Sequence, residues 1–290
     1  MTTTARVLTH SSHPYSPVAP DVLTLELYYP QIIHAELMAH GMFVRNAASF
    51  RAKPGRRLRA EIRADLAEPV QYGSHKAGMQ AGPTSEALTG VGRLAWRVAA
   101  FYALCVSALM DRAGLAKEIY NRLVMPFAHM SVVVTGTSET WANFLCLRNH
   151  PDADPTMQAL AEVVRQAIAA SAAKTVPYGG WHAPYHPDDV QRSVAACARV
   201  SYRSFAENGR ETTREEDLRL YERLLGGKVK HASPAGHQAT PVYNPAFEKK
   251  VGNLGQWWHQ YRHDLEGEVF ADLHAVLDPE FRNRQTQEKP

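Results

Sequence analysis

The 290 residues are 45% hydrophobic and 21% charged, enough apolar side chain for a packed core in one large unit or two modest ones. A net charge of +3 is too small to indicate a nucleic-acid or membrane-surface partner. No apolar run is expected to approach the roughly 20 residues of a membrane span, and residues 1–5 lack the charged-then-apolar pattern of a secretion signal.

In chain order, residues 22–29 alternate as a half-buried strand does, and Pro30 is expected to end it. Residues 31–43 place Ile32, Ile33, Leu37, His40 and Phe43 on one helical face. The longest helical pattern covers residues 94–117, where Leu94, Val98, Phe101, Tyr102, Cys105, Leu109 and Ala113 recur at helical spacing. The β-branched run at 131–135 predicts a short buried strand, and Ser138 a helix cap before Trp141, Phe144 and Leu145. Residues 155–173 predict another amphipathic helix. In 213–225, Thr213 and Glu216 have capping-box spacing, and Gly226-Gly227 supplies the stop.

Loops rich in Gly and Pro lie at 72–84, 178–187 and 232–245, and long loops in a compact domain are often functional. The pattern is mixed α and β without the regular alternation of a Rossmann domain. No repeat or linker divides it, so residues 1–290 are read as one catalytic domain with an irregular tail from about 280. The three cysteines are distant and odd in number. Cys105 and Cys146 sit in apolar stretches and are expected as packed core thiols. The chain is accordingly expected to be cytoplasmic and reduced.

Fourteen histidines raise a metal hypothesis, yet there is no HExxH and no paired CxxC. His231 and His237, six apart in a Pro-containing loop, are weak evidence, and no metal is expected. Walker A, GxGxxG and GxSxG patterns are absent too. What remains is a set of anion-binding side chains beside turns and helix ends: Ser49 with Arg51, then Arg122, then Arg148. An arginine fork matches phosphate oxygens and a serine hydroxyl adds a neutral donor. Taken singly, each arginine is better read as paired with a surface carboxylate.

The run from Ala39-His40-Gly41 through Arg45-Asn46 to Ser49-Phe50-Arg51-Ala52 resembles the signature of flavin-dependent thymidylate synthases, and Arg51-Ala52-Lys53-Pro54 continues its longer phage-like form. Further segments agree in order: the glycine loop at 72–82, Asn121-Arg122-Leu123 through Pro126, residues 137–148, Gly179-Gly180-Trp181-His182, residues 197–202, His231 to His237, and Gln260-Tyr261-Arg262. The similarity spans about residues 5–268.

That resemblance implies an α/β fold with helices around a central sheet, and a homotetramer whose active sites draw on several subunits. It also implies transfer of a methylene from methylenetetrahydrofolate to C5 of a uracil nucleotide, completed by hydride from reduced FAD, with NADPH as reductant. Ser49, Arg51 and Arg122 would bind the nucleotide phosphate. Arg148 would lie by the uracil as the catalytic cation, and His40, Asn143 and His237 would contact the flavin.

The signature is altered. Its flanking arginines are Ala39 and Gly41, its serine before Asn is Val44, and a small residue is replaced by Phe50. The phosphate ligands survive, which implies a changed substrate rather than a dead site. Similarity to the uracil C5-methylases of polyoxin-type nucleoside antibiotic pathways implies UMP, alongside dUMP. The alternative is an ordinary thymidylate synthase acting on dUMP.

Overall fold

The computed structural model describes residues 2–78, 80–200, 211–227, 230–247 and 251–265. The irregular tail expected from about 280 and part of the motif at 197–202 lie outside the described residues.

Five strands form the central sheet in the order β3-β4-β2-β1-β5. They are β1 (Thr4–Ser12), β2 (Val22–Pro30), β3 (Val44–Ala47), β4 (His129–Thr137) and β5 (Lys174–Thr175). Pairing is antiparallel except between β1 and β5. The strand expected at 131–135 is thus longer at both ends. Pro30 is the last residue of β2, opposite His129, where its missing N–H breaks no ladder beyond it.

Alternation along β2 and β4 sends two different side-chain sets to the two faces. Leu23, Leu25, Leu27 and Tyr29 join Met130, Val132 and Val134 in the main core. Helices α2 (Gly55–Ala64), α3 (Glu86–Arg112), α5 (Ser138–Arg148) and α6 (Pro155–Ala169) cover that core, contributing Leu58, Leu104, Phe144 and Leu160 among others. On the opposite face Val133 packs with Cys197 from α7 (Val190–Ala198). Helix α8 (Arg214–Leu225) packs against α7 and carries the expected Thr213–Glu216 capping box. A second, two-stranded sheet pairs β6 (Ala239–Pro241) antiparallel with β7 (Trp258–Gln260), and Ala239 and Trp258 pack with Val22 of β2. The architecture is a mixed α+β fold with helices on both faces of a central sheet.

Several elements differ from the sequence reading. The helix expected over 31–43 is a 3-10 turn, Gln31–Ile33, leading into a five-residue α1, His34–Met38. It stops because the Arg45 guanidinium takes the carbonyls of Leu37, Met38 and His40. The cap of α5 is Thr137, whose hydroxyl accepts from the Thr140 N–H, and Ser138 is the first helical residue. Helix α6 ends at Ala169 rather than 173.

Helix α3 carries the largest correction. It begins eight residues earlier than expected and is about 40 Å long at 1.5 Å per residue. Its buried positions are Ala100, Leu104 and Ser107, not the periodic face read from sequence. Leu94, Phe101, Tyr102 and Leu109 are each more than 60% exposed. Cys105 and Cys146 are exposed as well, so they are not core thiols; Cys197 is the buried one. By length and composition alone α3 is apolar enough to cross a membrane, against the expectation that no segment would be.

Candidate active site

The signature segment folds around β3, the four-residue edge strand, and its functional side chains gather at the two ends of that strand. Four strand residues span roughly 13 Å, so the groups form two clusters within one chain.

At the C-terminal end, Ser49 and Arg51 lie on the loop that joins β3 to α2. Asn121 fixes this loop. It is fully buried, and its amide nitrogen donates to the carbonyls of Phe50 (2.8 Å) and Lys53 (3.0 Å). Asn121 opens the 3-10 segment Asn121–Phe127 directly after α4 (Lys117–Tyr120). Arg122 follows it on that segment. Lys117 Nζ reaches the Ala52 carbonyl at 3.4 Å, and the Arg59 guanidinium lies over the Tyr120 ring, 5.7 Å from its centroid. Arg51 and Arg122 are exposed and have no ion pair among the described residues. Two guanidinium groups without an ion pair among the described residues thus stand on segments that Asn121 joins, and guanidinium groups suit anionic oxygens.

At the N-terminal end, Arg148 closes α5 and turns onto α1. Its Nε–H donates to His40 Nε2 at 2.9 Å, and Nη1 pairs with Glu36 Oε2 at 3.1 Å. Since Arg148 is the donor, His40 must present a bare Nε2 and carry its proton on Nδ1. Burial, and then the charges of Arg148 and Arg45, hold the His40 pKa below its ordinary value, which keeps that neutral form. The ring packs edge-on against Phe144, with centroids 5.2 Å apart. Arg148 Nη2 is left without a partner among the described residues. Asn143 is exposed on α5. Gly41 is open: a Cβ added there would meet nothing within 4 Å.

His237 belongs to neither cluster. It is fully buried beneath β3 and β4. The Asn46 amide nitrogen, oriented by the Ser233 and Arg45 carbonyls, donates to His237 Nε2 at 3.0 Å. Nδ1–H then donates to Thr135 Oγ1 (2.8 Å), whose hydroxyl donates to Thr24 Oγ1 (2.6 Å). Thr24 in turn donates to His182 Nε2 (2.8 Å), and His182 Nδ1–H donates to Ser11 Oγ (2.8 Å). Directionality is consistent along the whole chain, with both imidazoles neutral. Burial pushes each of their pKa values down to about 3. With no exposed atom and both nitrogens engaged, His237 offers nothing to a flavin here. It ties the 231–237 loop to the sheet.

Sequence reasoning singled out Ser49, Arg51, Arg122, His40 and Arg148, but not Glu36, which pairs with Arg148, or Asn121, which holds the loop. Glu36 had a signal, because it stands four residues before His40 and so shares its helical face. Asn121 was visible only as the neighbour of Arg122. No cluster of metal-ligating side chains occurs among the described residues.

No family model matches this chain, and no curated protein matches it either. Among solved structures, it is similar to the UMP/dUMP methylase PolB from Streptomyces cacaoi bound with 5-Br UMP. That match has 14% identity, a TM-score of 0.47, and covers 58% of this chain and 89% of the other. The same enzyme bound with 5-Br dUMP matches at 20% identity and a TM-score of 0.42, over 53% of this chain and 69% of the other. Likeness at this level identifies neither a ligand nor a reaction for this chain.

Proposed function

We propose that this protein methylates C5 of a uracil nucleotide, UMP and also dUMP, using methylenetetrahydrofolate as carbon donor, FAD as the bound flavin and NADPH as reductant. The observation that supports the reading is the buried Asn121 amide, which ties the loop of Ser49 and Arg51 to the segment that bears Arg122. The three signature-matched anion ligands thus lie on two chain segments that one buried side chain ties together.

In this reading the phosphate seats on Ser49, Arg51 and Arg122. Arg148 faces the pyrimidine, where its fixed guanidinium stabilises negative charge developing on the ring. His40 and Glu36 do not react; they hold Arg148 at Nε and Nη1 and leave Nη2 for the substrate. His40 and Asn143 fit a flavin, because the amide is exposed and the surface at Gly41 is open. His237 does not fit. The reduced flavin supplies the hydride that completes the methyl group.

Because the two clusters sit at opposite ends of β3, one copy presents two half-sites. A homotetramer with shared sites accommodates this, and the apolar exposed face of α3 supports such an assembly. The test is methylation of UMP and dUMP side by side, with FAD, NADPH and methylenetetrahydrofolate, read by mass. Methylated UMP is expected. Turnover of dUMP alone favours an ordinary thymidylate synthase, and protein that takes up no flavin and methylates neither overturns the proposal.

A further inference from the structure

His40 holds Arg148 at Nε, yet its neighbours Ala39 and Gly41 bring no polar side chain to hold His40 in turn. Helix α1 has already ended at Met38, and a Cβ at Gly41 would touch nothing within 4 Å. The turn that carries His40 is fixed through its backbone carbonyls instead.

Arg45, on β3, supplies the first brace. Its Nη1 donates to the carbonyls of Met38 (2.7 Å), His40 (3.0 Å) and Leu37 (3.4 Å). A helix leaves its last carbonyls without partners, and a cation suits them. Asn253 supplies the second brace. Its amide nitrogen donates to the Gly41 carbonyl at 3.1 Å. Asn253 stands on a tight turn closed by the Gly255 N–H on the Gly252 carbonyl, with Gly255 at φ +72°. The next residue, Leu254, is fully buried with Val22 and Trp258, so this turn is anchored to β2 and β7.

We propose that Arg45 and Asn253 are positioning residues for Arg148: they hold the carbonyls of His40 and Gly41, and so keep His40 Nε2 aimed at the Arg148 Nε–H. The proposal rests on the reading that Arg148 faces the pyrimidine. Two consecutive carbonyls, held from β3 and from the 252–255 turn, fix the backbone on both sides of the His40–Gly41 peptide.

Arg45 has a second effect that Asn253 lacks. Burial, then Arg148 from α5 and Arg45 from β3, keep His40 neutral. A protonated ring could not accept at Nε2, and it would stand beside two guanidinium groups. The nearby carboxylate, Glu36 on α1, pairs with Arg148.

The first test needs no turnover. NMR of the full chain follows the His40 ring nitrogens and the Arg148 Nε–H, assigned through His40→Gln and Arg148→Lys. Arg45→Met should raise the His40 titration midpoint by about half a pH unit and speed exchange of the Arg148 Nε–H about tenfold. Asn253→Ala should speed that exchange while the midpoint stays within about 0.2 unit, because no charge is lost. Arg45→Lys, which keeps a cationic donor, should restore the low midpoint. In methylation assays, Arg45→Met and Asn253→Ala should lower kcat about tenfold and about threefold, with nucleotide KM within about twofold. The acid limb of kcat should move to higher pH in Arg45→Met alone. Unmoved Arg148 exchange in both variants, or unmoved kcat where that exchange has changed, would overturn the proposal. Should Arg45→Met fail to fold, Asn253→Ala decides by the same two readings. If the unmodified protein methylates nothing, the proposed reaction fails, and the NMR comparison still decides whether the two braces hold Arg148.

Discussion

Arg148 is defined by what holds it. His40 and Glu36 occupy Nε and Nη1, so the guanidinium enters any reaction already oriented. Gly41, one residue beyond His40, leaves open space where related signatures carry an arginine. Gly41→Arg should therefore fold with a stability change within about 0.5 kcal/mol, as surface substitutions do. Its effect is expected on the ratio of UMP to dUMP turnover, measured as kcat/KM for each; an unchanged ratio would remove Gly41 from substrate choice. His182 and His237 make a different prediction. Each has a folded pKa of about 3 against an ordinary 6.5. As pH falls the unfolded chain binds those protons first, so the pair's contribution is complete above about pH 6.5 and is lost below it. The loss is about 1.4 kcal/mol per pH unit for each ring, roughly 2.7 for both. Urea unfolding between pH 6 and 5 should show a slope at least that steep, and His237→Gln should reduce it by about 1.4 kcal/mol per pH unit.

Between residue and fold stand the elements that carry the clusters. The β3–α2 loop has little internal support, and its position depends on Asn121 at the start of the 3-10 segment. Asn121→Leu leaves the Phe50 and Lys53 carbonyls buried without their donor. It should cost about 2–3 kcal/mol of stability and raise KM for the nucleotide more than it lowers kcat. Chemical denaturation and steady-state kinetics on the same preparation separate the two effects; an unaltered KM would detach this loop from phosphate binding. Strands β2 and β4 and the capping box of α8 were legible in the sequence, because alternation and cap spacing are local signals. The early end of α1 was not, since it depends on Arg45 reaching back to three carbonyls. Nor was the cap at Thr137, where two adjacent hydroxyl residues compete for one role. His237 was misplaced for a related reason. Its motif resembles a ligand segment, while its burial follows from a hydrogen-bond chain drawn from β1, β2, β3 and β4.

At the scale of the whole molecule, α3 has two apolar sides, and the chain's own core uses only one. Ala100 and Leu104 face inward, and Arg59 from α2 reaches Ser107 and Asp111 to fix that orientation. The other side exposes Val91, Leu94, Val98, Phe101 and Leu109, spaced three, four, three and eight apart, which is the spacing of a helix-packing face. Sequence periodicity marked this side of the helix, and within one chain it stays exposed. Exposed large apolar side chains in such number are unfavourable for an isolated copy in water. A two-fold interface would bring the same face from a second copy against it. It would also bring a second set of half-sites near the first. We therefore expect sedimentation to report an assembly larger than one chain. A double substitution, Leu94→Glu with Phe101→Glu, places two charges on that face without touching either site cluster. It should shift the protein to a monomer at micromolar concentration and abolish methylation. Nucleotide binding at Ser49, Arg51 and Arg122 of the monomer should persist, weakened. A monomeric variant with full activity would show that one copy completes its own site.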